Sequence, residues 1–163
     1  MGLKITIEDA TRSALKNQEL ELLSTLRMLL SAIHNREIEK RSRLVKGRET
    51  DNLENLAELT DEEVLEVIRS ESKKRREAIV EYEKAGRKES AEKEAAELKM
   101  LEKYLPQELA DGEIEKIIRE VVAGLGEVAP KDFGRVMGEV MKKLKGQASG
   151  DRVSKILKNK LGF

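Results

Sequence analysis

Between Leu20 and Val45 the apolar residues Leu22, Leu26, Leu29, Leu30 and Ile33 recur at helical spacing, with charged side chains filling most of the positions between them. Side chains three and four residues apart share one face of an α-helix, so the pattern predicts a long amphipathic helix. Such a stripe is stable only when another element covers it. Charged residues make up 39% of the 163 residues and aromatic residues only 2%, with no Trp. That composition suits solvated helices joined along Leu, Ile and Val seams, and the fold class it predicts is all-α.

A shorter helix is predicted from Leu3 to Lys16, closed by a turn at Asn17. Lys46 to Leu59 contains Gly47, Asp51 and Asn52 and reads as a connection with room for one helical turn. Thr60 and Glu63 form a capping-box pair, in which each side chain satisfies an amide at a helix start. The helix that follows should reach Ala85, where Gly86 can take the left-handed conformation that ends it. A fourth helix is expected from Arg87 to Tyr104. Residues 1–105 are therefore read as an N-terminal bundle of long antiparallel helices joined by short turns.

Pro106 marks the expected domain boundary, because a helix normally stops before proline. Three short helices are predicted beyond it, Asp111 to Ala123, Lys131 to Leu144 and Ser149 to Leu161, forming a small three-helix C-terminal domain over 106–163. Pro130 suits a first helical turn, where its missing N–H is not needed. A unit of this size has a small core.

Charge is unevenly placed. Lys131 to Leu161 holds nine basic residues against three acidic ones, a net +6, so residues 1–130 carry −6 and the total is zero. A basic end on an acidic body suggests an anionic partner for that end. Lys142, Lys143 and Lys145 close one predicted helix, and Arg152, Lys155 and Lys158 fall within reach of one face of the next. These six are the candidate RNA-binding residues, acting by neutralising phosphates and releasing their counterions. The competing reading is a solvated surface whose cations complement helix dipoles. A second basic group, Lys73 to Arg76 with Arg36, Lys40 and Arg43, lies among acids and reads as a solvated face. Within it Glu71 and Arg75 interrupt the apolar seam of Val64, Ile68 and Ile79, so Arg75 should pair with Glu71 or, across the helix interface, with Glu37.

Four blocks, Ser24 to Arg41 (STLRMLLSAIHNREIEKR), Lys73 to Arg87 (KKRREAIVEYEKAGR), Leu101 to Leu109 (LEKYLPQEL) and Asp132 to Gly146 (DFGRVMGEVMKKLKG), resemble the GatB/YqeY family of small bacterial proteins. The resemblance spans nearly the whole chain. It implies a likeness to the C-terminal tail of the B subunit of the tRNA-dependent amidotransferase, where a helical domain and a small three-helix domain help recognise tRNA without performing chemistry. A label of carbon–nitrogen ligase with glutamine as amido donor comes with that family. Relative to its pattern the Lys46 to Leu59 connection is long, and Ala110 stands where a capping Ser is more typical, leaving Asp111 to cap.

The residues supply no chemistry of their own for such a label. Absence of Cys removes thiol nucleophiles and Cys-based zinc sites, and His34 is alone, so no triad or histidine pair can be assembled. The acidic pairs Glu62 and Glu63, and Glu94 and Glu97, come without a second ligand motif. Gly134 and Gly138 read as glycines that permit close helix contact, and no phosphate-binding GxxxxGK[ST] is present. Phe133, Met137 and Met141 share one face, serving either the small domain's own core or a partner groove.

The expectation is a cytoplasmic, monomeric, non-catalytic accessory module for tRNA or another folded RNA, or for a protein partner in translation. No cofactor, metal or membrane is expected. The alternative is a protein-interaction adaptor with incidental RNA affinity; a contributor to a glutamine-dependent amidotransferase complex is a third reading.

Overall fold

The computed structural model describes residues 2–47, 56–126 and 128–161. Among them there are seven α-helices and no strand: α1 (Leu3–Lys16), α2 (Leu20–Lys46), α3 (Asp61–Lys84), α4 (Lys88–Glu102), α5 (Asp111–Leu125), α6 (Phe133–Leu144) and α7 (Gly150–Leu161). The all-α class predicted from the seams is what the chain adopts. Internal contacts separate it into two compact units, which divide between Leu105 and Pro106.

In the first unit α3 packs most extensively on α4, and α2 packs on α1, α3 and α4. Its core takes Ile7 from α1, Leu26, Leu29 and Ile33 from α2, Val64 and Ile68 from α3, and Leu101 from α4. Each such side chain, withdrawn from water, contributes roughly 1.5–3 kcal/mol. Residue chemistry sets the helix ends. The Thr60 hydroxyl accepts from the Glu63 N–H at 3.3 Å while the Glu63 carboxylate accepts from the Thr60 N–H at 2.8 Å, which completes the capping box. Gly86 stands at φ +72°, and the amides of Gly86 and Arg87 bond back to Glu83 and Tyr82, so α3 ends in the glycine-dependent motif. The turn after α1 stands at Asn17 as expected, with Asn17 itself right-handed and Gln18 supplying the left-handed residue at φ 59°. The predicted connection from Lys46 to Leu59 falls largely outside the described residues; Leu56 and Ala57 are helical.

Arg75, the cation that interrupts the α3 seam, is buried and pairs with Glu71 as expected, and also, at shorter range, with Glu97, which the sequence reading did not match to it. Arg75 donates through Nε and Nη2 to Glu97 Oε2 on α4 at 3.2 and 3.0 Å, with Glu71 at 3.5 Å. Glu37 is engaged elsewhere, accepting from Lys4 at 2.7 Å. The reason is geometric: α4 lies along this side of α3, and Glu97 reaches Arg75 there.

The second unit consists of α5, α6 and α7 about a core of Ile114, Ile118, Val121, Val136, Val140, Leu144, Ala148, Val153 and Leu157. Phe133, Met137 and Met141 are partly buried and pack against that core, so the face they share serves the unit itself. A 3-10 turn, Pro130–Asp132, introduces α6. Asp111 does not cap α5: Ala110 is the N-cap and has no side-chain acceptor, the Glu113 carboxylate accepts from the Ala110 N–H at 3.0 Å, and Asp111 turns to Arg152. Gly134 and Gly138 are exposed, and a Cβ at either would meet nothing within 4 Å among the described residues. They therefore do not mediate helix contact, contrary to the reading from spacing, which gives their separation but not their face.

Candidate nucleic-acid interface

The core of the second unit fixes where its cations project. Val136, Val140 and Leu144 face inward from α6, which leaves Lys142 and Lys143 on the outside of its last turn. The helix then stops at Lys145, whose backbone is left-handed at φ 45° and ψ 42°, and Gly146 continues at φ 78°. A left-handed lysine costs roughly 1–2 kcal/mol of backbone energy. Gly146 is itself buried. The loop is held by the Gln147 N–H bonding to the Leu144 carbonyl and by the Leu109 N–H bonding to the Gln147 carbonyl, each at 2.9 Å. Ser149 immediately precedes α7, its hydroxyl accepting from the Arg152 N–H at 3.4 Å.

The six predicted cations have different surroundings. Lys142 bonds Glu139 at 2.8 Å on its own helix, and this hydrogen bond and charge hold the Glu139 carboxyl below its ordinary range. Lys143 stands 3.7 Å from Glu120 on α5. Arg152 is the most engaged, 2.6 Å from Asp111 and 3.3 Å from Glu108. Lys158 lies over the Phe133 ring, 5.8 Å from its centroid, within cation–π range. Lys145 and Lys155 are exposed and have no carboxylate within ion-pairing distance among the described residues. Arg152 and Lys155 line one cleft between α5 and α7, whereas Lys158 turns towards α6.

Sequence reasoning missed the acids of this unit. Over residues 106–163 there are eleven basic and nine acidic residues, a net +2, so the +6 of the last stretch faces acids brought to it by α5. Asp111 and Glu115 stand four apart, as do the facing helix positions Arg152 and Ile156 and then Lys160. That matched spacing on two neighbouring helices is a signal the sequence did contain.

The other basic group dissolves into pairs. Lys40 bonds Glu63 at 2.7 Å, Arg36 bonds Glu39 at 2.9 Å, Lys74 bonds Glu71 at 2.6 Å and Arg76 bonds Glu102 at 2.8 Å. It is a solvated surface on which most cations stand beside an acid, Arg36 and Arg43 sharing Glu39, while exposed Lys73 has no carboxylate within ion-pairing distance among the described residues. A groove of about 1020 Å³ between α2 and α3, lined by Ser24, Met28, Ser31, Asn35 and Ser70 among others, carries the same paired charges. His34 is exposed, with Glu37 at 3.9 Å.

The model of the YqeY-like protein family matches residues 4–161, which is nearly the full chain. The chain belongs to that family. YqeY-like membership agrees with the four blocks that carried the resemblance, and it is consistent with the likeness to the amidotransferase tail. Among curated relatives, altered inheritance of mitochondria protein 41, mitochondrial, of Pyrenophora tritici-repentis is 31% identical over 106 residues, covering 63% of this chain and 58% of that protein. The match thus spans under two thirds of that relative. An uncharacterised protein of Schizosaccharomyces pombe is 29% identical over 106 residues, covering 65% of this chain and 74% of its own. Among the described residues no helix is long and apolar enough to cross a membrane.

Proposed function

We propose that this YqeY-like protein is a non-catalytic accessory module of translation that binds folded RNA, with tRNA as the ligand class, through its second unit. The observation that supports this most is the run Lys142, Lys143 and Lys145, which ends α6 and enters a bonded loop with all three side chains exposed. A rigid core behind flexible cations suits phosphates at the surface of a folded RNA, where positioning is electrostatic. Few aromatic residues, 2% of the chain, favour contacts to phosphates and 2′-hydroxyls over stacking on unpaired bases. The reading places the protein in the cytoplasm with translation, although the Pyrenophora relative bears a mitochondrial name.

The test is binding of the full-length protein to unmodified tRNA transcripts at low and near-physiological salt, with an equal-length duplex RNA as competitor. Preference for tRNA that survives the higher salt is expected. Lys142→Gln/Lys143→Gln/Lys145→Gln should weaken binding and lower the magnitude of the salt slope by about two to three, near one for each phosphate that is no longer neutralised. Equal affinity for the duplex, or a triple variant that binds like wild type, overturns the proposal. The adaptor alternative loses its original motive, since Phe133, Met137 and Met141 pack on the unit's own core.

A further inference from the structure

The cleft between α5 and α7, about 520 Å³ in volume, is lined by Asp111, Glu115, Arg152, Lys155, Asn159 and Lys160. Its three cations are in unequal states. Arg152 is held by Asp111 at 2.6 Å and Glu108 at 3.3 Å, and Lys160 by Glu115 at 2.9 Å. Lys155, between them along α7, has no carboxylate within ion-pairing distance among the described residues. Partly exposed ion pairs of this kind are weak enough to exchange partners. An incoming phosphate would therefore meet one cation ready to bind, two that can be released to it, and two carboxylates that repel it.

We infer that this cleft is a phosphodiester-binding site in which Lys155 makes the first contact and Asp111 and Glu115 act as built-in competitors for Arg152 and Lys160. The inference rests on the RNA-binding reading above and adds a threshold to it. A lone phosphate offers too little to displace a carboxylate already held in place. Folded RNA presents several phosphates at fixed separations, and those engaged by Lys142, Lys143 and Lys145 can hold it while the cleft exchanges partners. The acids thus set selectivity for dense, ordered phosphate arrays, at a cost in raw affinity.

Full-length wild type, Lys155→Gln and Asp111→Asn/Glu115→Gln are titrated with a labelled tRNA transcript at about 100 mM salt and eluted separately from heparin by a salt gradient. The double variant is expected to bind tRNA about fivefold to tenfold more tightly, to elute from heparin later than wild type, and to discriminate less between tRNA and duplex. Lys155→Gln should bind about threefold or more weakly. Unchanged or weaker tRNA binding by the folded double variant overturns the inference. Circular dichroism melting identifies a loss of fold. Should Asp111→Asn cause one, Glu115→Gln alone is judged by the same criteria, since Glu115 lies beyond the first turn of α5 and engages only Lys160 among the described residues. If wild type shows no preference for tRNA, the proposed function fails on that result, and heparin still judges the competitors: a variant eluting with wild type rules them out.

Discussion

Two polar side chains buried in α3, Arg75 (with its α4 partner Glu97) and Ser72, carry opposite stability expectations. Arg75 and Glu97 have side chains only 8% and 12% exposed, so deleting Glu97 leaves a largely buried guanidinium with only the more distant Glu71, at 3.5 Å, as its acid. Glu97→Ala should cost about 3 kcal/mol, read as a shifted urea midpoint, while Arg75→Met/Glu97→Leu should recover most of it by removing both charges together. A double variant as unstable as the single one would show that the pair itself sustains the fold. Ser72, one turn beyond Ile68, is fully buried, and its hydroxyl has no hydrogen-bond partner among the described residues. Ser72→Ala should therefore raise stability by roughly 1 kcal/mol in the same titration. The sequence showed that the seam is interrupted at Glu71 and Arg75, because periodicity exposes a charge on an apolar stripe. It did not show which acid answers Arg75, since that depends on how α4 lies against α3.

Helices whose ends depend on neighbouring residues were the legible ones. The Thr60–Glu63 box and the Gly86 terminus needed only local geometry, and both stand where the pattern placed them. Asp111 was misread because its carboxylate found a partner 41 residues away, which no local rule anticipates. The box also makes α3 pH-sensitive. Partial burial alone would raise the Glu63 carboxyl, but hydrogen bonds from Lys40 and the Thr60 amide, with the charges of Lys40 and Arg36, hold it below its ordinary 4.5. Its ionised form is thus favoured by folding, and the contribution is complete above 4.5 and lost as the pH falls through the lower folded value. Glu63→Gln should flatten that part of the curve of urea stability against pH, and an unchanged curve would remove Glu63 from the account. In α6, Gly138→Ala adds a Cβ into open space and replaces the poorest ordinary helix former with the best. It should raise stability by about 1 kcal/mol, seen as a higher Tm, and a lower Tm would mean that the exposed face is not free.

At the scale of the molecule, zero net charge conceals less asymmetry than a cut at residue 130 implies. Dividing instead between Leu105 and Pro106 assigns −2 to the first unit and +2 to the second. The candidate cations were legible as residue types; the hold of Asp111 on Arg152 was not read, because it arises when α5 folds back beside α7. The same closure bears on the order in which the protein can be made. Ile114, Ile118 and Val121 on α5 are buried with Val153 and Leu157 of α7, and the Leu109 N–H waits for the Gln147 carbonyl. During synthesis the first unit can consolidate once Leu105 has emerged, whereas α5 is covered only in part, by α6, until α7 follows. That interval is when a chaperone or a protease would meet the nascent chain.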